Sequence, residues 1–408
     1  MTSELALLGG RPVRTQPFPS WPFADEREAE LLRSVLASGV WSRRGPRLQS
    51  FEEQFAQLCG AEFAIAVSNG SVALELALRA LRVGPGDEVI VPALTWTATA
   101  WAAVQVGATP VFADVRRSDW CLDPESVRRC ITPRTRAVIP VHLYDQVAEM
   151  DAILEIAAKA SLSVVEDCAH AHGSRWRGRG AGTLGHIGTF SFQEQKSLSA
   201  GEGGAVVTQS AELADRLHAL KDCGRPREEA GAPGFGGNYR ITEFQAAILT
   251  AQLVRLPAQL ATREERRAAL RDLLAGVPGI EVLERKPEVT RQGMYAVSLR
   301  YDAEHFQDVP RHRLLQALRA EGIPIHPPYP VVYQSDLWRP GREFLSRGRF
   351  DAARPDLGLA ARCPVAVAIS QQEGLTLAHP LFLGPAADVA DIAAAFAKVQ
   401  RNASALRR

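Results

Sequence analysis

Lysine is scarce in this 408-residue chain: Lys159, Lys196, Lys221, Lys286 and Lys398 are all there are, and arginine carries nearly all the other positive charge. Lys159, Lys221 and Lys398 fall in stretches with helical apolar periodicity, where exposed places on amphipathic helices are expected. Lys286 stands beside Arg285 in a charged loop. Lys196 differs, because it follows the apolar run Thr189-Phe190-Ser191-Phe192 and precedes Ser199-Ala200-Gly201-Glu202-Gly203-Gly204. An amine at a strand end, beside glycines that admit a ligand closely, suits a Schiff-base nucleophile. The plain alternative is an ordinary loop lysine.

A second cluster, Glu166-Asp167-Cys168-Ala169-His170-Ala171-His172-Gly173, follows the apolar run Leu162–Val165. Ligands bind at the carboxyl ends of parallel strands, so an acid there is a candidate site residue. Cys168, His170 and His172 also admit a metal reading, but their i, i+2, i+4 spacing converges on an ion in only one local conformation, and no second cluster completes a shell. No metal is expected. Ser68-Asn69-Gly70-Ser71 lies between a strand-like run and a helix carrying Leu74 and Leu78. Free N–H groups at that helix start form an anion site suited to phosphate, or the Ser and Asn serve only as caps. Gly180-Ala181-Gly182-Thr183-Leu184-Gly185 matches the dinucleotide fingerprint G-x-G-x-x-G, yet it follows the basic turn 175–179 and leads into a strand rather than a helix. Nicotinamide binding is not expected there.

The elements that must position these residues alternate. Strands are expected at Phe63–Ser68, Glu88–Val91, Thr109–Ala113, Ala137–His142 and Leu162–Glu166, with helices between them, one starting near Thr95 and one over Ala152–Ala160. Strands reading as continuous apolar runs fit a parallel sheet covered on both faces. Shorter strands at Gly188–Phe192 and Gly204–Thr208 and a helix over Ala211–Leu220 follow. A Gly- and Pro-rich loop, Gly224–Gly237, leads to a long helix from about Thr242, whose Arg263–Arg267 run is expected as a solvated face. From about Gly279 the pattern becomes α+β: a strand at Met294–Tyr301 and helices at Pro310–Glu321 and Asp388–Arg401. His326-Pro327-Pro328-Tyr329-Pro330 must be extended.

Composition narrows the functions. With 47 Lys+Arg against 46 Asp+Glu, the net charge of +1 offers no basic field for nucleic acid. The six cysteines include no C-x-x-C and are too sparse for a disulfide scaffold, so a reducing, cytoplasmic setting is expected. No signal peptide is read at the N-terminus. Val89–Ala113 is uncharged but is broken by Pro92, Gly107 and Pro110, which fits strand, helix and strand better than a membrane span.

Taken together, a phosphate cradle, an aromatic (Trp96) on a neighbouring strand–helix turn, an acid (Asp167) and an amine (Lys196) are what pyridoxal phosphate needs. The chain resembles the DegT/StrS family of sugar aminotransferases, fold type I pyridoxal phosphate enzymes, through SNGSVALELAL, GDEVIVPALTWTATA, ITPRTRAVIPVHLY, VVEDCAHAHGS, GTFSFQEQKSLSAGEGGAVVT and GNYRITEFQAAILTAQL. The resemblance implies an α/β fold with a mainly parallel seven-stranded sheet in a large domain, taken as 1–260, and a smaller α+β domain, 261–408. It implies Lys196 as the Schiff-base lysine, Asp167 on the pyridinium, Gly70, Ser71 and Ser191 on the phosphate, and Trp96 stacked on the ring. His170 stands near the phenolic oxygen, where many members carry Gln. Asn238 would reach the phosphate of a neighbouring subunit, which implies a homodimer with shared sites.

Members that dehydrate sugars carry His in place of the lysine, so Lys196 argues for amino transfer. The stretches RKPEVTRQ, HPPY and FSFQ are closest in look to cyclitol aminotransferases acting on scyllo-inosose or 2-deoxy-scyllo-inosose in aminoglycoside pathways, with glutamine or glutamate as donor. AHAHG, AGEGGAVV and CGRP are shared with 3-amino-5-hydroxybenzoate synthases, and a nucleotide-sugar acceptor stays open. Arg43, His326, Tyr329 and His379 are the candidate substrate contacts. A regulatory pyridoxal phosphate-binding homologue is the other alternative, disfavoured because Lys196, Asp167 and Ser71 are all intact.

Overall fold

The alternation read from the sequence is the frame of the molecule. The structure, a computed structural model, describes residues 4–43, 45–227, 234–338 and 363–407. Arg44 and part of the Gly224–Gly237 loop therefore lie outside the described residues. An N-terminal arm leads to α1 (Glu26–Ser38) and α2 (Pro46–Cys59). Then come β1 (Phe63–Val67), α3 (Gly70–Ala80), β2 (Glu88–Pro92), α4 (Ala98–Gln105), β3 (Thr109–Ala113), α5 (Pro124–Cys130), β4 (Thr135–Val138), α6 (Met150–Lys159) and β5 (Ser163–Asp167). Two short strands, β6 (Arg175–Trp176) and β7 (Arg179–Gly180), precede β8 (Ile187–Ser191), β9 (Gly204–Thr208) and α7 (Ala211–Lys221).

These strands, apart from β6 and β7, form one seven-stranded sheet in the order β1-β9-β8-β5-β4-β2-β3. Pairing is parallel from β3 through to β8, and β9 runs antiparallel to both of its neighbours. Every residue of β2, β8 and β9 is buried, as apolar runs under helices on both faces require. The strand expected at Ala137–His142 is β4 plus an extension: Pro140, lacking an N–H, interrupts the ladder, and Val141 then bridges Asp167. The helix expected from Thr95 begins at Ala98, which leaves the 93–97 turn at the carboxyl end of β2 to present Trp96.

Helix α8 (Glu243–Leu274) starts with a capping box, Thr242 with Gln245, and runs unbroken through Pro257 and past residue 260. Its buried Glu243 carboxylate accepts the Arg47 and Leu48 N–H groups and so caps α2 from another element. Beyond it lie β10 (Ile280–Val282), β11 (Val289–Arg291), β12 (Ala296–Tyr301), α9 (Arg311–Ala320), β13 (Ile325–His326), α10 (Pro364–Ala368), β14 (Gly374–Ala378) and α11 (Ala386–Arg401). Strands β10-β12-β14-β13 form an antiparallel sheet over a second core, which Leu5 of the arm also enters.

Three charged readings are corrected. Lys221 is buried, not exposed, and pairs with Glu52 at 2.7 Å. Lys398 is buried as well, bonded to Glu321 at 2.8 Å and to the Arg11 carbonyl at 2.6 Å. In the Arg263–Arg267 run, Arg263 and Arg267 point inward; Arg267 pairs with buried Asp145 at 2.7 Å, and only the intervening residues keep a solvated face. Lys159 is exposed as expected.

Candidate active site

The carboxyl ends of β1, β2, β4, β5 and β8 converge on a cavity of about 590 Å³ lined by Gly70, Ser71, Trp96, Asp167, His170, Ser191, Lys196 and Tyr329, with Thr95, Thr99, Gln195 and Tyr295 among the residues between them. At one end, Asn69 caps α3 by accepting the Val72 N–H at 2.9 Å, and the Gly70 and Ser71 N–H groups stand at the open helix start, where no intrahelical acceptor exists. Gly70 is needed here: a Cβ on it would lie 2.7 Å from Ser191 Cβ. Gly204 is needed behind it, because its Cβ would meet the Asn69 carbonyl carbon at 2.5 Å. The pair of glycines lets strand end and helix start close into a cradle of N–H and hydroxyl groups, favourable to an anion.

Asp167 ends β5 and is buried. Its Oδ2 accepts the Thr99 hydroxyl at 2.8 Å and its Oδ1 the Ala169 N–H at 3.1 Å. Thr95 lies 3.1 Å from Thr99 and, since Thr99 gives its proton to the carboxylate, Thr95 is the donor of that pair. Burial pushes the Asp167 carboxyl above its ordinary range, the Thr99 and Ala169 bonds opposing it. Among the described residues no cation pairs with it directly, so an arriving N–H⁺ would gain a strong, charge-assisted partner.

Lys196 lies beyond the end of β8, half-buried, with Nζ 4.4 Å from the Tyr295 ring centroid. Burial holds its amine down to about 8, against a smaller opposing pull from Asp167. His170 is stacked on Tyr295. Its Nδ1 accepts the Tyr144 N–H at 3.1 Å, which places the proton on Nε2, 3.3 Å from the Tyr329 hydroxyl. Burial keeps the ring neutral by drawing its pKa well below the usual value. Trp96 is half-exposed across the cavity, its ring 5.5 Å from that of Tyr329.

The metal alternative is replaced by hydrogen bonding. His172 Nε2 donates to the Ser191 carbonyl at 2.9 Å and its Nδ1 faces the Ser197 hydroxyl at 3.4 Å, so both nitrogens are engaged, as are those of His170. His142, Glu166 and Cys168 do approach one another. There, however, Glu166 accepts from His142 and from the N–H groups of Gly182, Leu184 and Gly185, all within 3.1 Å. The glycine loop 180–185 thus does wrap an anion, and that anion is the chain's own Glu166 carboxylate.

The other substrate candidates fall elsewhere. Arg43 pairs with Asp222 at 3.1 Å beside Arg240, on a separate cavity of about 530 Å³. His326 is exposed on β13 and outside the Lys196 cavity. His379 is buried, bonded to Arg263 and to the Gln195 carbonyl, and does not line the cavity. Asn238 is exposed, bridged to Asp222, and not in the cavity of its own chain. Tyr295, Gln195 and Thr99 were not singled out from sequence. Thr99 had a readable signal, as the i+4 partner of Thr95 in an otherwise apolar stretch. Tyr295 had none locally, because its role is a stack on a residue 125 positions away.

A helix-covered, mainly parallel seven-stranded sheet with an acid, a lysine and an anion cradle at its carboxyl edge defines a pyridoxal phosphate-dependent enzyme of fold type I. The chain belongs to the DegT/DnrJ/EryC1/StrS aminotransferase family, matched over residues 22–350. It is 42% identical over 423 aligned residues to a Streptoalloteichus tenebrarius protein provisionally named L-glutamine:3-amino-2,3-dideoxy-scyllo-inosose aminotransferase, with 100% of each chain covered. It is 40% identical over 425 residues to the L-glutamine:2-deoxy-scyllo-inosose aminotransferase of Streptomyces fradiae, again with 100% of each covered. Among solved structures, 3-amino-5-hydroxybenzoic acid synthase is similar with a TM-score of 0.83 and 36% identity, over 96% of this chain and 100% of that one.

Proposed function

We propose that this aminotransferase moves the amino group of L-glutamine to a keto-cyclitol of the scyllo-inosose type, using pyridoxal phosphate. The observation that carries the reading is one cavity holding a nucleophilic amine, a buried acid and a helix-start cradle together; the names of the similar proteins supply the substrate class. When bound, pyridoxal phosphate supplies an aldehyde that condenses with amines and a ring that accepts electrons once its nitrogen is protonated.

The chain's own residues have distinct tasks. Gly70 and Ser71 N–H groups and the Ser191 hydroxyl hold the phosphate. Asp167, costly to keep charged in its buried position, is stabilised by a protonated ring nitrogen and keeps that proton in place. Trp96 covers one ring face, and neutral His170 presents its Nε2–H toward the phenolic oxygen. Lys196, with its pKa near 8, is partly neutral at physiological pH, so its amine would bond to the cofactor's carbon and move a proton off or onto the bound substrate's amino-bearing carbon in each half-reaction. Tyr329, on the cavity wall, is the retained substrate contact; Arg43, His326 and His379 are assigned no such contact.

The reading also divides the chain at about residue 260 into a cofactor-binding part and a smaller part. It makes the protein a cytoplasmic homodimer in which Asn238 reaches the partner's phosphate. Trp41 and Phe235 are large apolar side chains left exposed, which a partner subunit would cover. Among the described residues no helix is long and apolar enough to cross a membrane.

The test is incubation with pyridoxal phosphate, 2-deoxy-scyllo-inosose and α-¹⁵N-glutamine, with mass spectrometry of the cyclitol. Label in an aminocyclitol is the expected result. An aromatic product formed without an amino donor would instead favour the hydroxybenzoate-synthase reading that the structural likeness keeps in view.

A further inference from the structure

The backbone that carries Lys196 is held from three directions. Trp21 of the arm donates its Nε1–H to the Glu194 carbonyl at 2.9 Å. His379, at the end of β14, donates its Nε2–H to the Gln195 carbonyl at 3.0 Å. Tyr295 on the cavity wall approaches the Gln195 side chain at 3.3 Å. Behind His379 lies Arg263 of α8, with no solvent exposure at all, whose Nη2 donates to His379 Nδ1 at 3.1 Å. Trp21 packs edge-on against His379, centroids 4.7 Å apart, and also lies beneath the guanidinium, 5.5 Å from its carbon. The arm, α8 and the second sheet therefore meet at the two carbonyls that immediately precede Lys196.

Arg263 is an unusual occupant for that position. Among the described residues its Nε and Nη1 have no hydrogen-bond partner and no carboxylate pairs with it. Burial draws its pKa down to about 9, which leaves it charged at neutral pH. A buried cation with one neutral partner costs stability, and an apolar side chain of similar volume would be tolerated better. What it does provide is tautomer control. A guanidinium only donates, so His379 Nδ1 must accept, and the imidazole proton is fixed on Nε2, aimed at Gln195.

We infer that Arg263 and His379 are positioning residues for Lys196: the arginine fixes the imidazole tautomer, and the imidazole pins the Gln195 carbonyl so that the lysine is presented to the cofactor. The inference rests on the pyridoxal phosphate reading of the cavity and goes beyond it by assigning buried residues outside the cavity wall.

The experiment follows the absorbance change as pyridoxal phosphate is added to cofactor-free protein, together with the thermal midpoint of the cofactor-free form. Arg263→Met is expected to slow adduct formation on Lys196 by about tenfold or more while the midpoint holds or rises. His379→Phe should slow it likewise, and His379→Gln, which keeps an N–H for the carbonyl, should restore most of the rate. The double variant Arg263→Met/His379→Phe should be no slower than His379→Phe alone, because both act through one bond. An Arg263→Met rate equal to wild type overturns the inference. So does a midpoint that falls in step with the rate, with no rescue by His379→Gln. A wild-type chain that forms no adduct overturns the cofactor reading itself, an outcome distinct from the other two.

Discussion

His170 lies flat on Tyr295, the ring centroids 3.9 Å apart and the planes within 13°. The stack fixes the imidazole plane, and the Tyr144 N–H fixes its tautomer, so the Nε2–H, 3.3 Å from the Tyr329 hydroxyl, has one direction in which to act. His170→Gln, whose amide retains a donor, should keep turnover within about tenfold of wild type, whereas His170→Phe, which keeps the stack and loses the donor, should lose about 10²-fold. Steady-state rates on both variants check this; equal rates would remove the donor role.

Asp167 joins function and stability with opposite signs. Its carboxyl pKa is raised by burial, so in the cofactor-free protein the penalty appears as pH rises through the unfolded value near 4 and grows until pH passes the folded one. Asp167→Asn removes that penalty and can still accept from Thr99. Its cofactor-free thermal midpoint at pH 7 should therefore equal or exceed that of wild type, while kcat falls by about 10²-fold or more as the ring loses its anionic partner. Calorimetry and a rate assay on one preparation read both signs.

The anion cradle predicts a steric effect. In Gly70→Ala the new methyl would meet Ser191 Cβ at 2.7 Å, so either the helix start or the end of β8 must retreat. Overpacking of this kind costs about 1–3 kcal/mol, and the cofactor dissociation constant should rise by at least about tenfold. Equilibrium dialysis of pyridoxal phosphate measures it. Unchanged affinity would place the phosphate elsewhere.

Three buried histidines set an acid limit. His170, His172 and His379 all have their pKa drawn down by burial, that of His172 to about 3. The folded state therefore refuses protons that the unfolded chain takes up below its value of about 6.5. The sign is fixed: stability is intact above about 6.5 and is lost as pH falls toward 3, by up to about 1.4 kcal/mol per pH unit for each such histidine. In His172→Gln the drop in thermal midpoint between pH 7 and pH 5 should be smaller than in wild type; an unchanged drop would mean that His172 takes no part.

Much of this frame was readable because the parallel strands announce themselves as apolar runs, and because Lys196, Asp167 and Gly70 each sit at an element end where backbone geometry dictates their direction. The misread residues share a different physics. Lys221, Lys398, Arg263 and Arg267 lie on helices of the expected kind, but each is covered by a segment distant in sequence: Glu52 of α2 for Lys221, Arg11 of the arm and Glu321 for Lys398, Trp21 for Arg263, Asp145 for Arg267. Helical periodicity says which face a residue occupies, not what another element lays over it. In sequence, His379 before Pro380 reads as either a substrate contact or a structural bend; in the fold both of its nitrogens are already committed.

The central claim is that Lys196 carries an amino transfer from glutamine to a keto-cyclitol. Its most direct test is the absorption spectrum of protein reconstituted with pyridoxal phosphate, recorded after L-glutamine and again after 2-deoxy-scyllo-inosose, on wild type and Lys196→Ala. The account predicts that glutamine converts the cofactor band of wild type to the pyridoxamine form, that the ketone restores it, and that the variant completes no such cycle. A wild-type spectrum indifferent to glutamine, or a Lys196→Ala protein that cycles normally, would contradict it.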